Sequence, residues 1–163
     1  MRAICPGSFD PVTHGHLDII ERAAQMFSEV VVAVGRNSAK NYLFTPDERA
    51  DMLAEATQAR ANVRVEMLDG LLVDFCRDRD IDVIVKGLRF ASDFEFELQM
   101  AQMNHALSGI ETIMLPTAAR RPHQSSTMIR EVAKLGGDVS QFVTPHVAAR
   151  IRAKLPTSEG GVA

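Results

Sequence analysis

Val30-Val31-Val32-Ala33-Val34-Gly35 is the stretch that most restricts the fold. It is short, unbroken and β-branched, so it reads as a strand with two apolar faces. Such a strand needs cover on both sides, which the helices of βαβ crossovers supply. The rest of the chain alternates accordingly. Strands are expected at Ala3–Cys5, Val30–Gly35, Val63–Met67, Asp82–Lys86 and Thr112–Leu115, the last ended by Pro116. Helices are expected at about His14–Phe27, Pro46–Ala56, Leu71–Asp78, Ser92–His105, Thr127–Leu135 and Pro145–Leu155. Thr45 and Glu48 form a capping box, Pro46 suits the first helical position, Ser92 reads as an N-cap, and Gly136-Gly137 reads as a helix stop. The first helix shows Leu17, Ile20, Ala24 and Phe27 at spacings of three and four, a single buried face. The third places Leu72, Phe75 and Cys76 on one side.

This pattern predicts an α/β, Rossmann-like, doubly wound five-stranded parallel sheet in a single domain over residues 1–155. A flexible tail, rich in Gly and Ser, follows at 156–163. With 46% apolar and 24% charged residues, the chain has the composition of a globular protein. The net charge of −3 argues against general nucleic-acid binding. No apolar run approaches the ~20 residues that cross a bilayer, and no leader-like segment precedes the first strand, so a cytoplasmic, non-membrane protein is expected. Cys5 and Cys76, the only cysteines, are expected to be buried thiols rather than a disulfide or metal pair.

Open parallel sheets bind ligands beyond the carboxyl ends of their strands. Four segments should therefore meet at one crevice: Gly7–His16, Arg36–Lys40, Lys86–Arg89 and Ala119–Thr127. His16 falls in the first turn of a helix, where free amides and the helix dipole favour an anion. Gly7 and Gly15 allow close backbone approach and Ser8 supplies a hydroxyl. Taken alone, His14-Gly15-His16 is equally a helix cap with a surface histidine. Lys86 closes a buried strand and Arg89 follows three residues later, so both must face water or an anion at the ligand-bearing edge. Ser125 and Ser126 mark another helix entrance. The helix from Ser92 carries Asp93, Glu95 and Glu97 near its start. Its apolar residues wrap too far round for one buried face, so part of it is expected to meet another subunit.

Pro6-Gly7-Ser8-Phe9-Asp10-Pro11-Val12-Thr13-His14-Gly15-His16 resembles the T/S-x-x-x-x-T-x-G-H signature of the nucleotidyltransferase superfamily. With Lys86–Arg89, Asp93–Asn104, Glu131–Ala133 and Gly136–Val139, the chain to about Leu155 is most similar to the bacterial phosphopantetheine adenylyltransferases. The resemblance implies transfer of AMP from ATP, with Mg2+, to 4'-phosphopantetheine, giving dephospho-CoA and pyrophosphate. It also implies a homohexamer and feedback binding of CoA. By the same resemblance His16 stabilises the transition state. Ser8, Phe9, His16, Gly87, Leu88, Arg89, Glu97 and the segment Arg121, Pro122, His123, Gln124, Ser125, Ser126, Thr127 contact ATP. Ser8, Lys40, Leu72 and Lys86 contact phosphopantetheine. The metal ligands stay unassigned. Arg121, His123 and Gln124 stand where the family usually has an aromatic, a phenylalanine and an aliphatic residue, so an altered ATP wall is expected. Two other readings remain open on the residues: a small nucleotidyltransferase with a different phosphorylated acceptor, and a nucleotide or CoA sensor that does no chemistry.

Overall fold

The computed structural model describes residues 1–36, 41–117 and 125–155. Strands β1 (Arg2–Gly7), β2 (Glu29–Gly35), β3 (Val63–Leu68), β4 (Val83–Leu88) and β5 (Glu111–Pro116) form one sheet. All its pairings are parallel and the order is β3-β2-β1-β4-β5. Helices α1 (His14–Met26), α2 (Pro46–Thr57), α3 (Leu72–Asp78), α4 (Ala91–Ser108), α5 (Ser126–Lys134) and α6 (Pro145–Lys154) cover it. A 3₁₀ turn at Ser140–Phe142, absent from the sequence reading, joins the last two.

The strand pleat sorts the core into two layers. Ala3, Cys5, Val30, Val32, Val34, Val83 and Val85 face one way, toward α1, α2, α5 and α6. Ile4, Val31, Ala33 and Ile84 face the other, toward Val73, Phe75 and Cys76 of α3. Val30–Val34 is buried along its whole length, as a two-sided strand requires. Both cysteines are free and buried.

Several expectations are corrected. The buried centre of α1 is Gly15, Ile19, Ile20 and Ala23. Leu17 and Ala24 sit at its margin, packed against the core but partly exposed. In α3, Val73 takes the buried place expected for Leu72, which packs at the edge of the same layer. Strand β4 does not end at Lys86. It runs through Gly87 to Leu88, and β5 runs through Pro116, because Gly87 pairs with Leu115 and Leu88 with Pro116. Gly87 looks like a break in the sequence but is a packing glycine. A Cβ there would come within 2.9 Å of the Ile19 side chain, so its absence lets α1 lie close against β4. Helix α4 is capped at Phe90 rather than Ser92. The Asp93 carboxylate reaches back to accept from the Arg89 and Phe90 amides at 3.1 and 3.3 Å.

Candidate active site

Strand order reverses between β1 and β4, and the ligand crevice of such a sheet opens there. A crevice of about 490 Å3 lies at that point. The β1–α1 turn contributes Ser8, Phe9 and His16, β4 and its exit contribute Lys86, Gly87 and Arg89, and α4 contributes Glu97. The entrance of α5 adds Ser125, Ser126 and Thr127. These expected residues are brought together. Leu72 and Leu88 do not line the crevice. Arg36 leaves it, facing Asp69 at 3.6 Å. Lys40, Arg121, Pro122, His123 and Gln124 lie outside the described residues, as does the tail.

The β1–α1 turn is built to hold one imidazole. Thr13 caps α1, its hydroxyl accepting from the His16 amide at 3.3 Å. In return the Thr13 amide donates to His16 Nδ1 at 3.1 Å. Nδ1 is therefore the acceptor nitrogen and the ring proton resides on Nε2. The turn tightens at Phe9, whose φ of +51° is left-handed. That folds its ring edgewise onto His16, with centroids 5.1 Å apart. Burial first, then the positive charges of Arg89 and Lys86, lower the His16 pKa from 6.5 to about 4. At neutral pH His16 is thus an uncharged donor, held at both its amide and its ring.

That perturbation is a stability term. An unfolded chain takes up the His16 proton near pH 6.5, whereas the folded protein resists it down to about 4. Stability from this group is full above pH 6.5 and is lost as pH falls through 4, by about 3 kcal/mol over the window. Urea unfolding of the wild type and His16→Gln between pH 7 and 4 checks this. The variant should show the shallower slope, and parallel curves would refute the assignment.

Each described cation of the crevice is matched by a carboxylate. Lys86 Nζ lies 3.1 Å from Glu97, and Arg89 forks onto Asp93 at 3.1 and 3.2 Å. Arg130 of α5 lies 3.4 Å from the Asp10 carboxylate, which is buried. Asp10 also accepts from the amides of Leu43 and Phe44 at 2.8 and 2.9 Å. On the β2 side, buried Arg49 donates to the carbonyls of Ser8 and Gly35. It stacks 4.2 Å from the Tyr42 ring, whose hydroxyl is 3.4 Å from Ser8 Oγ. This fixes the ends of β1 and β2 beneath the crevice. The Cys5 thiol in the floor is pushed up to about 12 by burial and is no nucleophile at neutral pH.

Sequence reasoning missed Asp10, Tyr42 and Arg130. Arg130 stands three residues after Thr127 on the same helix, a spacing that places both on one face and was the signal available. Asp10 and Tyr42 carried none, since their roles depend on contacts more than thirty residues away.

A family model described as cytidylyltransferase-like matches residues 4–132. A phosphopantetheine adenylyltransferase of Nocardioides sp. is 56% identical over 154 residues, covering 94% of this chain and 97% of that one. This chain belongs to the phosphopantetheine adenylyltransferase family. Another member, from Streptomyces coelicolor, is 54% identical with the same coverage of both chains. A solved structure from Vibrio parahaemolyticus, described as a nicotinate-nucleotide adenylyltransferase, matches with a TM-score of 0.69 at 20% identity. It covers 93% of this chain and 91% of its own, and the likeness is one of fold. Within the phosphopantetheine adenylyltransferase fold, the crevice at the β1/β4 reversal is where the nucleotidyltransferase signature lies.

Proposed function

We propose that the crevice carries out adenylyl transfer by one in-line displacement with both substrates bound. As a phosphopantetheine adenylyltransferase, the chain transfers AMP from ATP to 4'-phosphopantetheine, giving dephospho-CoA and pyrophosphate. The observation that carries the mechanism is the fixed, uncharged His16 between the α1 entrance and the cations of β4. A phosphate oxygen of the acceptor attacks the α-phosphorus as the bond to the β-phosphate oxygen breaks, and pyrophosphate departs. His16 donates from Nε2 to a non-bridging α-phosphate oxygen as charge builds there. Ser8 and Lys40 orient the attacking phosphate, Lys86 and Arg89 neutralise the phosphates, and Ser125–Thr127 hold the β and γ groups. Leu72 is assigned to the pantetheine arm only by resemblance. No protein nucleophile takes part, consistent with the neutral Cys5 thiol.

Mg2+ belongs to the nucleotide substrate in this reading. The crevice carboxylates Asp10 and Glu97, and Asp93 beside them, are engaged by cations. No cluster of three or more metal-ligating side chains exists among the described residues. CoA, which contains the product's skeleton, is proposed to bind the same crevice as a feedback ligand. No helix among the described residues is long and apolar enough to cross a membrane, and we assign the protein to the cytoplasm.

Incubation with MgATP and separate phosphorylated acceptors tests the activity. Pyrophosphate should form with phosphopantetheine and not with nicotinate mononucleotide or glycerol 3-phosphate. Release with either of the others, or with none, would refute the reading.

A homohexamer is proposed for the assembly. Phe94, Phe96, Leu98, Met100, Met103 and Leu107 are exposed along α4, an apolar surface that calls for cover. Sedimentation should give six chain masses, and Phe96→Glu should lower that number. An unchanged mass in the variant would place the contact elsewhere.

A further inference from the structure

Tyr42 belongs to the segment that leads from β2 to α2, and it lines the crevice together with Ser8. Its hydroxyl lies 3.4 Å from Ser8 Oγ. Arg49 stands over the ring, 4.2 Å from its centroid. That arginine is fully buried, and its Nη1 donates to the carbonyls of Ser8 and Gly35. Its Nε and Nη2 find no hydrogen-bond partner among the described residues. An aromatic face is a favourable neighbour for such a cation, so the Tyr42 ring is held in place.

We propose that Tyr42 is a further acceptor-binding residue of this enzyme, its hydroxyl donating to the phosphate of phosphopantetheine alongside Ser8. The inference rests on the adenylyl-transfer reading and deepens it. Three features carry it. The first is the pair of hydroxyls. Two hydroxyls that share one hydrogen bond have a second proton to give elsewhere. Their 3.4 Å separation is long for such a bond, so little is lost when a better acceptor arrives. A phosphate group offers several anionic oxygens and can accept from both in charge-assisted bonds. The second is direction. Tyr42 meets Ser8 from the β2 side of β1, whereas Lys86 and Arg89 enter from β4 on the other side. Lys40, assigned to the same acceptor phosphate, precedes Tyr42 by two residues in the chain. The third is order. With Arg49 fixing the ring, the hydroxyl is positioned before the substrate arrives, so binding orders little further.

Equilibrium calorimetry on Tyr42→Phe tests the assignment, with phosphopantetheine, pantetheine and MgATP each added alone. The variant loses the hydroxyl and keeps a ring against Arg49, so the fold is retained. Phosphopantetheine should bind about tenfold more weakly, as expected for one lost hydrogen bond to a charged group. Pantetheine has the same arm without the phosphate, and its affinity should change less than twofold. MgATP should also change less than twofold. Unchanged affinity for phosphopantetheine would overturn the proposal. An equal loss for pantetheine would overturn it too, because the hydroxyl would then serve the arm or the shape of the site. So would an equal loss for MgATP, which would place Tyr42 on the nucleotide. Failure of the adenylyl-transfer reading shows separately, as no pyrophosphate from wild-type enzyme with MgATP and phosphopantetheine.

Discussion

His16→Ala should lower turnover about 10²–10³-fold, the range for removing one preorganised donor from a developing oxyanion. The Michaelis constants for ATP and phosphopantetheine should move less than threefold. This split follows from the state of the ring. Nδ1 is occupied by the Thr13 amide and Nε2 bears the proton, so His16 offers one neutral hydrogen bond. Such a bond contributes little to the ground state and more as charge accumulates on the α-phosphate. His16→Asn and His16→Gln keep a donor at altered reach and should recover part of the loss. Steady-state rates at saturating substrates decide the matter. Turnover within fivefold of wild type in the alanine variant would remove His16 from the chemistry.

Asp10→Ala should produce the largest stability loss, about 3–5 kcal/mol, the range for breaking a buried ion pair from one side. The carboxylate is 1% exposed and serves the Leu43 amide, the Phe44 amide and Arg130 together. Its removal leaves two amides and a cation without their acceptor. Asp10→Asn keeps an acceptor oxygen and should lose less. The urea midpoint, taken with an unchanged m-value, measures both. A loss below 1 kcal/mol for Asp10→Ala would show that the pair contributes nothing to the fold.

The fold was legible where local chemistry and tertiary packing agree. The valine run of β2 and the Thr45-Pro46-Asp47-Glu48 capping box read correctly because burial pattern and hydrogen-bonding side chains sit next to each other in the chain. Gly87 read wrongly because a glycine that breaks a strand and one that makes room for a neighbour look alike. Only Ile19, nearly seventy residues earlier, tells them apart. The same limit applied to the site. His16, Lys86 and Arg89 stand beside strand ends and could be placed by topology alone. Asp10 looks like an ordinary turn residue, and Arg130 like a solvated charge on a short helix, until the two meet across the crevice.

The matching of Lys86 with Glu97, Arg89 with Asp93 and Arg130 with Asp10 bears on which ions the enzyme ignores. A chloride or a single sulfate gains from one cation at most and must compete there with a carboxylate already in place. A polyphosphate engages several cations at once, and because the later contacts are intramolecular its net gains add while its freedom is lost only once. Among the described residues, the crevice cations are therefore already paired toward small anions, while the crevice stays open to a ligand long enough to span it. Inhibition by simple salts should stay weak, and discrimination rests on the ligand's number of phosphates rather than on its charge alone.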